Sequence, residues 1–183
     1  RFDCPVLVNT LQNCNMLHVE KSIKAFCDTL PLSKAIFPEL AHHNQEFLIS
    51  SLLNEKYDAH NALADVLSLQ KLVTSKFSLD QLSQFAIASH DIVLTTQYNN
   101  KCNRNLHTLT CLIENKKVTN NMARKIAYSG LNFNHLYLQY SRDKESGIRN
   151  LFTEIVGKEK KARVTKSKKI IDSVNEYMKN RVV

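Results

Sequence analysis

Residues 57–73 read YDAHNALADVLSLQKLV. From Ala62 onward the stretch is crowded with apolar residues: Ala62, Leu63, Ala64, Val66, Leu67, Leu69, Leu72 and Val73. Asn61 precedes them, and an asparagine side chain there can accept from first-turn amides, so the pattern predicts a helix starting after Asn61. The apolar density predicts that this helix is buried. Asp65 lies in its middle, and His60 stands five residues earlier. An ionised carboxylate buried without a partner costs several kcal/mol, so Asp65 is expected to be ion-paired, protonated or bound to a metal.

The composition around this helix limits the fold. The chain has 183 residues, 43% of them hydrophobic and 23% charged, which is a globular balance. It contains only three glycines and three prolines. So few breakers argue for mostly helical structure and against a many-turned β-sandwich. Ile23–Cys27 (IKAFC) is the one plausible short strand, ahead of Asp28-Thr29. Helical signals follow in LSKAIF, NQEFLISSLL and the capping box Ser78-x-x-Gln81. DIVLTTQ (91–97) is compatible with strand or helix. NLHTLTCLIEN reads as a helix. Thr119 or Asn120 caps the next, which stops at Gly130. Asn132 caps another, and a third starts near Ser146 and ends at Gly157. The segment from Lys158 reads first as a basic linker. Past Thr165 it becomes a helix with Ile170, Ile171, Val174, Tyr177 and Met178 on one stripe. The expected organisation is an α/β piece over 1–74, a helical extension over 75–157, and a basic linker with an amphipathic helix over 158–183. A single strand cannot make a sheet, so the α/β piece is expected to need further strands from a longer parent chain. The start at Arg1, already inside patterned sequence, fits the same reading.

No apolar run approaches the roughly 18–20 residues that span a bilayer, so no membrane role is expected. The cysteine count is odd (five) and no CxxC occurs, which favours free thiols in a reducing, intracellular compartment. Cys102, His107 and Cys111 fit no common zinc spacing and read as helix-face residues. The net charge of +8 is uneven. Residues 1–74 carry six Lys and Arg against eight Asp and Glu, whereas the remainder carries 19 against nine. A basic second part suits a polyanion, or it is simply a solvated basic face.

Three pieces share one order: Phe2-Asp3 at a helix start, Asp28-Thr29-Leu30 after a strand, and His60-x-x-x-x-Asp65. In that order RFDCPVL, AFCDTLPLSKAIFPEL and YDAHNALADVLSLQKLV resemble the second half of a DEDDh-type 3′–5′ exonuclease domain, the DnaQ-like, RNase H-like fold. The phrases DTLPL, FPEL and AHNALADVLSLQKL are similar to animal exonuclease-like proteins related to the C-terminal region of promyelocytic leukaemia protein. The resemblance covers about residues 1–74. It implies a partial RNase H-like α/β domain followed by helices, acting in phosphodiester hydrolysis with two Mg²⁺ or Mn²⁺ ions. Hard cations of this kind select carboxylate oxygens. By the resemblance, Asp65 and Asp3 are metal ligands and His60 is the general base, a task for which its near-neutral pKa suits it. The family's first motif, D-x-E, has no candidate before Asp3, so this stretch alone is expected to be inactive. A catalytically degenerate exonuclease fold that binds nucleic acid or protein is the alternative.

The helical part leaves two readings open. In one, Arg124, Lys125, Arg142, Lys144 and Arg149 touch phosphates of single-stranded or frayed DNA or RNA ends. Lys160, Lys161, Arg163, Lys166, Lys168 and Lys169 then add non-specific affinity. In the other it is a packing or partner-binding bundle with a basic rim. No helix clusters Arg, Asn and Gln for helix-turn-helix base readout. RVTKSKK (163–169) also has the composition of a nuclear import signal, so a nuclear location is expected.

Overall fold

The computed structural model describes residues 3–56, 58–157 and 160–181. It divides into two compact units, residues 1–96 and 97–183. The chain is predominantly helical with two small two-stranded sheets, a mixed α/β part followed by a helical one.

In the first unit, α1 (Asp3–Asn13) begins at Asp3 and tolerates Pro5 in its first turn. A 3₁₀ turn, Leu17–Ser22, leads to β1 (Ala25–Cys27). Asp28 caps α2 (Thr29–Ile36), its Oδ1 accepting from the Leu30 amide at 3.1 Å. Asn44 caps α3 (Gln45–Leu48), which runs into a π-helical turn, Ile49–Leu53, closed by Asn54 at φ 55°. Then come α4 (Ala62–Lys76) and α5 (Leu79–Gln84), the latter opened by the Ser78/Gln81 capping box. The small core consists of Leu32, Leu48, Ile49, Leu72 and Phe77.

Two expectations fail here. The residues beyond 74 are not all helical: β2 (Ala86–Ala88) pairs antiparallel with β1, Ala25 opposite Ala88. The first compact unit therefore runs on past residue 74, to Thr96. The helix α4 is also not buried. Only Leu72 is, while Leu63, Val66 and Leu67 are 68%, 63% and 54% exposed. Residues 63, 66 and 67 share one helical face, and no described element covers it.

DIVLTTQ is helical, inside α6 (Ser89–Thr108), and the division between the units falls within this helix. In the second unit α7 (Thr110–Glu114) follows a break at Leu109. Thr119 caps α8 (Asn120–Tyr128) by accepting from the Met122 amide, and Asn132 with His135 forms a capping box for α9 (Phe133–Thr153). The two helices expected on either side of Ser146 are one element with a kink at Lys144 (φ 52°, ψ −139°). Gly147 permits the close approach after the kink, since a Cβ there would lie 2.5 Å from the Gln139 carbonyl oxygen. Asn175 Nδ2 donates to the Glu145 carbonyl at 3.3 Å, pairing a carbonyl beside the kink.

The expected linker is partly structured. β3 (Ile155–Val156) and β4 (Lys161–Ala162) form a hairpin around Gly157 (φ 74°), so Gly157 sits in a turn and does not end a helix. Val164 is fully buried. Its amide donates to the Phe152 carbonyl at 3.0 Å. The last helix, α10 (Lys168–Lys179), buries Ile171, Val174, Tyr177 and Met178 against a core that includes Leu109, Leu112, Ile126, Leu136, Ile148 and Phe152.

Candidate functional site

Asn61 sets the start of α4: its Oδ1 accepts from the Leu63 and Ala64 amides, each at 3.2 Å. His60, just ahead, is exposed and adopts a left-handed backbone (φ 72°). Asp65 is half-buried in the first turns. Its backbone is firmly held. Its carbonyl accepts from Gln45 Nε2 at 2.6 Å and from Ser68 Oγ at 3.1 Å, and Gln45 Nε2 also reaches Ser68 Oγ at 2.7 Å. This clamp joins α3 to α4 and fixes where Asp65 lies. The carboxylate has no cationic partner among the described residues. Among the described residues, an ion pair does not therefore account for Asp65.

Asp3 is exposed in the first turn of α1, and Phe2 lies outside the described residues. Among the described residues no three His, Cys, Asp or Glu side chains gather into a metal-holding group. Asp3, His60 and Asp65 thus do not form a metal centre by themselves. Divalent magnesium demands about six oxygen ligands in near-octahedral array, so this donor set does not fit a two-metal site unaided. The same finding holds for Cys102, His107 and Cys111, of which Cys102 is buried and His107 exposed. Asp28, part of the motif series, caps α2. Burial and then the neighbouring Asp28 charge raise the Cys27 thiol above its ordinary pKa.

The basic residues separate into two groups. Arg142 pairs with Asp143 at 2.8 Å, which raises its guanidinium pKa, and also reaches Gln139. Arg149 lies 3.7 Å from Asp172 and links α9 to α10. Lys144 lies over the Tyr140 ring, 5.9 Å from its centroid. Arg163 donates to the Ser129 carbonyl and to Glu154. These four have partners within the second unit, and Lys161 is not free either. Arg124 and Lys125 on α8, Lys160, Lys161 on β4, and Lys166, Lys168 and Lys169 around the start of α10 are exposed.

Two further lysines escape sequence reading. Lys116 and Lys117 follow α7 in a turn that sequence patterns mark with glycine, and no glycine is there. Lys117 Nζ meets Glu176 at 2.7 Å, and its carbonyl accepts from Ser173 Oγ at 2.9 Å, which fastens the α7–α8 loop to α10.

Residues 1–73 match the family model described as Exonuclease, and residues 105–181 match the one described as PML, C-terminal domain. No curated protein and no solved structure matches the chain. The first match likens the N-terminal part to a nuclease family, and that family acts on nucleic acid in general.

Proposed function

We propose that residues 1–74 are the C-terminal part of a DEDDh-type, metal-dependent 3′–5′ exonuclease-like domain, and that the whole protein binds and hydrolyses nucleic acid ends. The observation that carries this reading is α4. One helix bears a half-buried carboxylate with no cation beside it among the described residues, and an apolar face of Leu63, Val66 and Leu67 that no described element covers. An amphipathic helix exposes such a face only when its packing partner is elsewhere. In this reading strands from outside these residues cover that face and bring the carboxylates that the donor set lacks. Asp65 and Asp3 then contribute ligands for Mg²⁺ or Mn²⁺, and His60 is the general base. Residues 75–157 and 158–183 act as a helical extension whose exposed cations, Arg124, Lys125, Lys160, Lys161, Lys166, Lys168 and Lys169, hold DNA or RNA strands. A nuclear location follows from the basic RVTKSKK run and the substrate class.

The test is a nuclease assay on the natural full-length protein with a 3′-labelled single-stranded oligonucleotide and Mg²⁺ or Mn²⁺. Metal-dependent loss of the 3′ label, abolished by Asp65→Ala, supports hydrolysis. Tight binding without turnover supports the second reading, a degenerate exonuclease fold used for binding.

A further inference from the structure

The second unit holds a cavity of about 450 Å³ between the α7–α8 loop and α10. Its apolar lining comes from Ile113, Val118, Met122 and Ile170. Lys116 and Lys169 stand at the same cavity from opposite elements, and neither has an acidic partner among the described residues. Lys117 is there too, but Glu176 neutralises it.

The loop is built to hold Lys116 in place. The Lys116 amide donates to the Ile113 carbonyl at 2.9 Å and the Lys117 amide to the Leu112 carbonyl at 2.9 Å, the two bonds of a Schellman turn. That turn needs a left-handed residue, and Lys116 supplies it at φ 55°. The chain makes the same turn at the end of α8 with Gly130 at φ 83°, its amide donating to Ala127 and that of Leu131 to Ile126. A lysine in this conformation carries a steric cost that glycine avoids. Backbone strain of this kind motivates a functional reading of the side chain.

We propose that this cavity takes a short acidic peptide segment of a protein partner, seated by one aliphatic or aromatic side chain. The apolar lining suits the anchor, and the two lysines, without an acidic partner among the described residues, suit flanking carboxylates. Cavities of a few hundred Å³ accommodate one or two side chains. Nucleic acid fits less well, because no aromatic ring lines the cavity to stack a base. The inference concerns residues 113–122 and 169–173 and does not depend on the nuclease reading of residues 1–74.

The experiment uses the 183-residue chain and a fluorescein-labelled peptide, Asp-Asp-Glu-Leu-Phe-Glu-Asp-Asp, read by fluorescence anisotropy. The double variant Lys116→Glu, Lys169→Glu is expected to weaken binding about tenfold or more, as reversing two facing charges does. Lys101→Glu, exposed and outside the cavity, is expected to leave it unchanged. Replacing Leu-Phe in the peptide by Ser-Ser is expected to abolish it. Lys116→Gly is expected to weaken binding while holding or raising Tm, since glycine relieves the turn. The proposal is overturned by absence of peptide binding, by equal binding of the Ser-Ser peptide, or by an equal effect of Lys101→Glu. It is likewise overturned if Lys116→Gly lowers Tm, or if Lys116→Glu weakens binding of an oligothymidine strand and leaves that of the peptide unchanged.

Discussion

Arg163 and Ser129 meet through a forked contact: Nε and Nη2 of the guanidinium both donate to the Ser129 carbonyl, at 3.3 and 3.2 Å. Ser129 is the C-terminal cap of α8, so the arginine satisfies a carbonyl that the helix leaves open. Its Nη1 donates to Glu154 at 2.8 Å just beyond α9, and its amide donates to the Glu154 carbonyl at 2.7 Å. A residue that composition assigns to a basic linker thus fastens two helix ends.

Arg163→Ala should therefore lower the unfolding free energy by about 2 kcal/mol, the scale of hydrogen bonds to a charged donor. Arg163→Lys should recover only part of this, because an ammonium cannot reproduce the planar fork. Chemical denaturation of both variants measures it, with exposed Lys166→Ala as the neutral control. An Arg163→Ala protein as stable as the parent would refute the fastening role.

Gly147→Ala should destabilise the second unit by about 1–3 kcal/mol, the usual cost of forcing atoms into a packed site. The added Cβ would lie 2.5 Å from the Gln139 carbonyl oxygen and 3.1 Å from Asp143 Cβ. Both neighbours lie on the segment before the Lys144 kink, and the first is backbone and has little room to yield. Thermal unfolding followed by circular dichroism reads the loss.

Asn61→Ala should cost about 1 kcal/mol, and Asn61→Gly only a few tenths. The side chain caps two amides of α4, and fraying there would reach the turn that carries Asp65. Hydrogen exchange at the Leu63 and Ala64 amides should speed up in both variants, since neither side chain can accept from them, while chemical denaturation separates the two costs.

Alkaline pH should weaken the second unit through Tyr177. Burial raises its phenol above the ordinary value of 10.0, with the adjacent Cys111 thiol adding to the shift and Arg181 opposing it. A raised folded pKa means that the native state keeps its proton longer than the unfolded chain. The contribution is intact below the unfolded value near 10 and declines as pH rises from there through the folded pKa. Tm measured from pH 8 to 11 should fall less steeply in Tyr177→Phe than in the parent. Parallel curves would remove Tyr177 as a source of the alkaline limb.

Much of the local structure was legible in the residues. Asn61, Ser78 with Gln81, Thr119 and Asn132 each cap the helix expected of them, and α10 buries most of its apolar stripe. These features depend on hydrogen bonds spanning two or three residues, or on a period within one helix, so sequence alone determines them. The motif order likewise anticipated the exonuclease match over residues 1–73. Other features depend on partners distant in the chain. The pairing of Ala25 with Ala88, the bond from Asn175 to the Glu145 carbonyl beside the kink, and the seating of Arg163 on Ser129 have no local signature. The α4 helix makes the difference clearest. Its apolar residues fix that it is a helix, but burial belongs to the surfaces that meet it. Only the tertiary structure revealed that Leu72 meets one and that Leu63, Val66 and Leu67 do not.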